Sequence, residues 1–268
     1  MMFAIDCHDH IYIKRLAPKA VQSVGEFYQV KMACSGVSDE LVEIAGSSPV
    51  KRFVVNAVAP GPSSVKRLND FMAKEKDAHP EFTALGTLHP GMEDVRSETD
   101  RIISLGLKGI KLHPDSQGFE MDCPEAMRIY EAAEGRLPVL MHCGDYRYDS
   151  SHPRRLVNIL KAFPGLTVVA AHLGGWSIFE EAVPYMKELD CYMDISSTMP
   201  FIGGEKTLEY IRMYSADRLL FGSDFPMWSP VSEFDAFMRL ELSEEEQRKI
   251  LYKNAASVFD IDVSGLEE

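Results

Sequence analysis

The chain has 268 residues, 46% of them hydrophobic, and 28 Lys and Arg against 41 Asp and Glu give a net charge of −13. That length suits a single α/β barrel of about 250 residues. The acidic balance repels phosphate backbones and anionic headgroups, which argues against nucleic acid and membrane surfaces as partners.

Short apolar runs, each followed by a stretch of helical spacing, recur from end to end. The first, 3–10, ends in Asp6-Cys7-His8-Asp9-His10. Side chains of a strand alternate faces, so His8 and His10 project together and both imidazoles can reach one metal ion. Asp6 shares their parity but lies deeper, where an anchoring role is expected; Asp9 has the opposite parity and is not expected to ligate. The connection 11–51 holds a helical stretch at 38–45 and is expected to form a lid over one barrel mouth. Further strands are predicted at 52–58, 82–88, 107–113, 138–143, 167–172, 191–196 and 219–224. Helices are predicted between them at 63–76, 92–105, 124–134, 153–163, 178–189 and 206–214, where apolar residues recur every three or four positions. A helical tail, 243–259, opens with the capping box Ser243 and Glu246.

Eight such units close most simply into a (β/α)8 TIM barrel, one α/β domain over 1–268; the alternative, an open doubly wound sheet, lacks its Gly-x-Gly-x-x-Gly after the first strand. The five cysteines contain no Cys-x-x-Cys pair, and Cys7, Cys143 and Cys191 read as small buried hydrophobes. No apolar run approaches the roughly 20 residues needed to span a bilayer, and the start carries no basic leader, so a cytoplasmic protein is expected.

The chemically useful residues fall at the C-terminal ends of the predicted strands, where barrel active sites lie. These are His8 and His10, then Lys111 and His113, then His142, His172 and Asp224. In 107–113 the apolar Ile110 and Leu112 face the helices, which leaves Lys111 and His113 for the interior, and a buried Lys or His demands a partner. Five histidines and an aspartate directed at one mouth point to a metal site. In the loop after His142, Arg147 offers a fork for a substrate carboxylate, with Tyr146 and Trp176 as walls; a solvated loop arginine is the alternative. His152, before Pro153 at a helix start, reads as a cap.

These motifs resemble the amidohydrolase superfamily, and within it the amidohydrolase-related branch that includes aminocarboxymuconate-semialdehyde decarboxylase. The likeness covers almost the whole chain and rests on the His-x-His pair, Lys-Gly-Ile-Lys-Leu-His-Pro at 108–114, His142, Ala-His-Leu-Gly-Gly at 171–175, Gly-Ser-Asp-Phe-Pro at 222–226 and the Ile-Leu-Tyr-Lys-Asn-Ala tail at 250–255. It implies that His8, His10, His142 and Asp224 bind one divalent metal ion, most often Zn2+, with His172 and Asp224 as the acid/base groups. Lys111, carboxylated, would bridge a second metal in binuclear relatives; in the mononuclear branch Lys111 or His113 contacts substrate. The leading expectation is a metal-dependent hydrolase that turns a metal-activated water on an amide, lactone or related bond, because decarboxylases of the branch tend to be longer. A metal-dependent lyase that decarboxylates a small aromatic or enoic acid is the alternative. A TatD-like nuclease expects a glutamate where this chain has Lys111 and His113, and a non-catalytic barrel would need a closed metal shell. The expected partners are a small-molecule substrate and, left open, a second copy of the chain in a homodimer.

Overall fold

The computed structural model describes residues 2–266; Met1 and Glu267-Glu268, the ends of the expected 1–268 domain, lie outside the described residues. The strands are β1 (Ala4–His10), β2 (Val50–Asn56), β3 (Phe82–Ala84), β4 (Gly86–Thr87), β5 (Ile110–Leu112), β6 (Val139–Met141), β7 (Val168–Ala170), β8 (Tyr192–Asp194) and β9 (Leu219–Leu220). The expected strand at 82–88 is divided into β3 and β4, and most others are shorter than their apolar runs. Hydrophobicity reports burial and not pairing: Leu107 and Cys143 are buried yet lie beyond the ladders. No helix among the described residues is long and apolar enough to cross a membrane.

The chain divides into two compact units, the first made of the described residues of Met1–Asn56, Lys74–Thr83 and Ile195–Glu268. Here β1 and β2 pair in parallel, but Asp6 lies opposite Phe53 and Asp9 opposite Val55. Three positions on one strand span two on its neighbour, so His8 sits in a local irregularity of the ladder. The Cys7 N–H donates to Phe221 O at 2.9 Å and the His10 N–H to Phe225 O at 2.6 Å, which ties β1 to the segment after β9. Phe53, Phe221, Phe225 and Phe237 fill the core of this unit. The expected capping box is present, and the tail runs through helices Glu244–Arg248 and Asn254–Phe259 with a π turn between them. Two α-helices of this unit were not expected, Pro230–Phe237 and Ala17–Tyr28; the latter has no capping side chain at its start and carries Gly25 near its end, so the usual start signal is missing.

The second unit comprises Ala57–Ala73 and Ala84–Asp194. Strands β4 to β8 pair in chain order, all parallel, as in Ile110 opposite Val139 and Val139 opposite Val168. Parallel strands covered on both faces read as continuous apolar runs, and Ile110, Leu112, Val139, Leu140, Met141, Val168 and Val169 are all fully buried. Proline opens the helices Pro114–Gln117, Pro124–Ala133 and Pro153–Ala162, where the missing N–H costs nothing and the fixed φ favours the first turn. The loops after the strands are tied by one buried amide: Gln117 Nε2 donates to Ala59 O and Leu88 O, both at 2.9 Å, and Gln117 Oε1 accepts the His113 N–H at 2.8 Å.

Gly144, just beyond β6, has φ +82°, and a Cβ built there falls 2.6 Å from Gly175 Cα. Gly118 has a similar φ of +73° but open space around it. Gly144→Ala is therefore expected to cost roughly 3 kcal/mol or more, since both strain and a backbone clash oppose it, while Gly118→Ala costs about 1 kcal/mol. Urea denaturation of the two variants checks the ordering; equal losses would show that the 144–175 contact is not tight.

Candidate active site

In the first unit, β1 delivers His8 and His10 and the turn after β9 delivers Asp224. His8 Nε2 and His10 Nε2 are 3.2 Å apart, and Asp224 Oδ1 lies 3.6 and 3.5 Å from them. The ladder irregularity therefore leaves the pair of imidazoles on one side, as alternation predicts. His8 Nδ1 is 3.0 Å from Ser196 Oγ, which orients the ring and leaves Nε2 for the shared point. Ser197 Oγ donates to Asp224 Oδ2 at 2.7 Å, and Trp228 Nε1 donates to Ser197 Oγ at 2.9 Å. Asp224 itself has φ +64°, an uncommon conformation for a residue with a Cβ.

The donor set fits a metal ion. Tetrahedral N and O ligands at about 2.0–2.1 Å from an ion stand roughly 3.3 Å from one another. The three separations of 3.2 to 3.6 Å match that spacing. The surroundings ask for a cation as well. Asp6, Asp9, Asp224 and Glu233 are all buried in this unit, whereas Lys111, in the other unit, is the only buried Lys or Arg among the described residues. Asp6 Oδ1 accepts the Ser223 N–H at 2.8 Å and the His8 N–H at 3.2 Å, the anchoring role expected of it. Asp6 Oδ2, both Asp9 oxygens and Glu233 Oε2 are buried with no hydrogen bond. Burial pushes the Asp6 carboxyl up to about 6 even though Ser223 favours its ionised form, and burial together with the charge of Asp6 holds Asp9 well above the usual carboxylate range.

In the second unit, His113, His142 and His172 are brought together. The His113 and His142 rings stack with centroids 3.9 Å apart and planes 10° from parallel, and the His172 ring meets His142 edge-on at 5.1 Å. His172 and Leu173 have φ of +58° and +53°, and the His172 N–H donates to Asp194 Oδ1 at 3.0 Å, which holds the ring in that turn. Lys111 is fully buried in the middle of β5. Trp176 is buried and Tyr146 is 74% exposed. Arg147 departs from the expectation of an open fork. Its Nε and Nη2 donate to Asp145 Oδ1 and Oδ2 at 2.9 and 2.6 Å, so an internal carboxylate takes the bidentate position. Its guanidinium carbon lies 5.3 to 5.9 Å from the rings of Tyr146, Tyr148 and Trp176. His152 caps its helix as expected, accepting the Arg154 N–H at 3.1 Å. Cys143 is buried, and burial pushes its thiol up, which opposes any nucleophilic role.

Sequence reasoning missed Asp115, whose Oδ2 lies 3.5 Å from His142 Nε2, and the serines at 196 and 197. The signal for the serines was present, since they follow a predicted strand end in the same way as the histidines.

The sequence profile of the amidohydrolase family matches residues 5–261. No curated protein matched in the corresponding search. Among solved structures, an uncharacterized TIM-barrel protein from Bordetella bronchiseptica is 19% identical with a TM-score of 0.78 over 97% of this chain and 99% of that one. A dihydroxybenzoic acid decarboxylase from Polaromonas sp. JS666, solved with manganese and the inhibitor 2-nitroresorcinol, is 17% identical with a TM-score of 0.76 over 97% of both chains. A protein from Pseudomonas putida provisionally named as a 2-pyrone-4,6-dicarboxylic acid hydrolase is 20% identical with a TM-score of 0.68, over 97% of this chain and 98% of that one. Likeness at this level shows the fold: the chain is a (β/α)8 TIM barrel.

The buried acids yield a pH prediction for the metal-free protein. Burial first, then the charges of Asp6 and Asp224, push the Glu233 carboxyl from 4.5 up to about 8. The folded state thus holds this proton more tightly than the unfolded state. The resulting stability is complete below about pH 4.5 and is lost as pH rises through about 8, at no more than about 1.4 kcal/mol per pH unit. Urea midpoints measured across that window should fall with pH in the native sequence and flatten in Glu233→Gln; parallel curves would refute the assignment.

Proposed function

The chain belongs to the amidohydrolase family, and from that premise we propose a divalent-metal-dependent enzyme in which one ion, zinc or manganese, is shared by His8, His10, His142 and Asp224. In this reading 1–268 acts as one domain, the substrate is a small organic acid, and His172 moves protons beside the ion. A bound divalent ion supplies Lewis acidity, polarising a carboxyl or carbonyl oxygen of the substrate.

Non-oxidative decarboxylation is the reaction the site supports best, and the observation that carries it is the occupancy of Asp224. Its Oδ1 faces both ligand imidazoles and its Oδ2 accepts the Ser197 hydroxyl, which Trp228 fixes in turn. A carboxylate engaged through both oxygens is a poor acceptor for the proton of an attacking water, the task hydrolysis would set it. Decarboxylation needs no such base. The bond from carbon to carboxyl breaks, CO2 leaves, and a proton donated from His172 takes its place on carbon. Lys111 and His113 bind the remaining substrate oxygens, with Trp176 and Tyr146 as apolar walls. Arg147 acts through Asp145 to shape that loop.

Hydrolysis of a lactone, amide or related bond is the second reading, favoured by the Pseudomonas putida relative. Length no longer separates the two. The Polaromonas decarboxylase is covered over 97% of its own chain, so the compactness of this chain does not argue against lyase chemistry.

Protein reconstituted with Mn2+ or Zn2+ and offered aromatic acids, lactones and amides, with CO2 release and net acid production followed separately, decides between them. CO2 release that a chelator abolishes is expected, with kcat lowered about 10²- to 10⁴-fold in His172→Asn. Acid production without CO2 would replace this reading with hydrolysis.

A further inference from the structure

Helix Met199–Tyr214 is interrupted at Gly203, whose φ of +77° turns the chain, and Gly204 approaches Leu240 so closely that an added Cβ would stand 3.2 Å from its Cδ2. With helix Pro230–Phe237 and residues 239–241, this bend encloses a cavity of about 750 Å³ within the first unit. That volume suits a small molecule. None of the candidate metal ligands lines it; Met199, Leu208, Ala236 and Leu240 give it apolar walls.

Glu233 lines the same cavity and is only 5% exposed, whereas Glu205, Glu209, Arg212, Arg239 and Glu241 are exposed at the mouth. Glu233 Oε2 has no hydrogen bond. At the mouth the charges balance. Glu209 pairs with Lys206 at 3.0 Å, which leaves Glu205 and Glu241 against Arg212 and Arg239. The floor has no such balance, because Asp6 and Asp224 add their charge to that of Glu233. A buried carboxyl that lacks a donor is costly, and a donor that also carries positive charge offsets that cost best. An anionic ligand would be repelled from this floor, and a purely apolar one would leave the carboxyl uncompensated.

We propose that this cavity binds a primary alkyl amine, with its ammonium on the Glu233 carboxylate and its chain along Met199, Leu208, Ala236 and Leu240. The ammonium brings three N–H donors and a full positive charge to the buried carboxyl. The chain meanwhile displaces water from four apolar side chains. This site is separate from the proposed metal centre and depends on no reading of the reaction.

Calorimetric titration of the full chain, reconstituted with Zn2+, with n-hexylamine at neutral pH tests the proposal, beside hexan-1-ol and hexanoate of the same chain length. The native chain is expected to take up hexylamine and to reject hexanoate. Glu233→Gln keeps shape and removes charge, and it should weaken hexylamine about 10- to 100-fold. Ala236→Trp, at a half-buried helix position, fills the cavity and leaves Glu233 intact. It should abolish uptake, and it carries the test should Glu233→Gln fail to fold. A native chain that takes up no hexylamine overturns the proposal, as does equal affinity in a folded Glu233→Gln. Uptake that survives in Ala236→Trp also overturns it, for the amine would then sit elsewhere, the metal ion included. Hexan-1-ol or hexanoate bound as tightly as hexylamine overturns it by showing that the cavity reads the chain and not the charge.

Discussion

The constraint on which the first unit depends is an excess of buried negative charge at the end of its strands. Asp6, Asp9, Asp224 and Glu233 are all buried, as are the aromatic side chains Phe53, Phe221 and Phe237 of the same unit. A lone buried carboxylate is too costly to leave uncompensated, so each must take a proton, a hydrogen bond or a cation. Asp6 has hydrogen bonds on one oxygen, and Glu233 and Asp9 turn toward protonation. Asp224 is left opposite two imidazoles at ligand spacing, which is the arrangement a divalent ion completes.

Backbone conformation is spent at the same places. Asp224 and His172 both sit at positive φ, which costs roughly 1–2 kcal/mol for a residue with a Cβ. Each is then secured by a neighbour on another element: Ser197 holds the Asp224 carboxylate and Asp194 holds the His172 N–H. Strain at a side chain with chemistry to perform, matched by a dedicated clamp, indicates that side-chain direction is the quantity being fixed. A relaxed helix start would serve equally well if capping were the only purpose.

The sequence made the candidate site residues legible because strand ends are easy to find. Apolar runs that stop at His, Lys or Asp located His8, His10, Lys111, His142, His172 and Asp224, and each stands at or just beyond a strand end or, for Lys111, within the strand. What alternation could not reveal is how these groups are held. Asp115 follows Pro114 in a helix first turn, where an acidic residue is commonplace on account of the helix dipole alone, and nothing in its spacing points toward His142. Arg147 illustrates the converse. An arginine in an active-site loop suggests a substrate carboxylate, but Asp145 two residues earlier satisfies the same fork locally. Pairings two residues apart in a loop depend on turn geometry, which composition does not encode.

The division of labour between the two histidine groups follows from their supports. His8 is oriented by a serine hydroxyl, a neutral partner able to donate or accept. His142 has the His113 ring stacked on its face and the Asp115 carboxylate 3.5 Å from Nε2. The His172 backbone N–H is held by Asp194. A ligand benefits from a fixed tautomer, whereas a residue that gives up and regains a proton must keep both states accessible. The observed supports of His142 and His172 therefore differ, a stacked ring and a nearby carboxylate for one and a backbone hydrogen bond for the other.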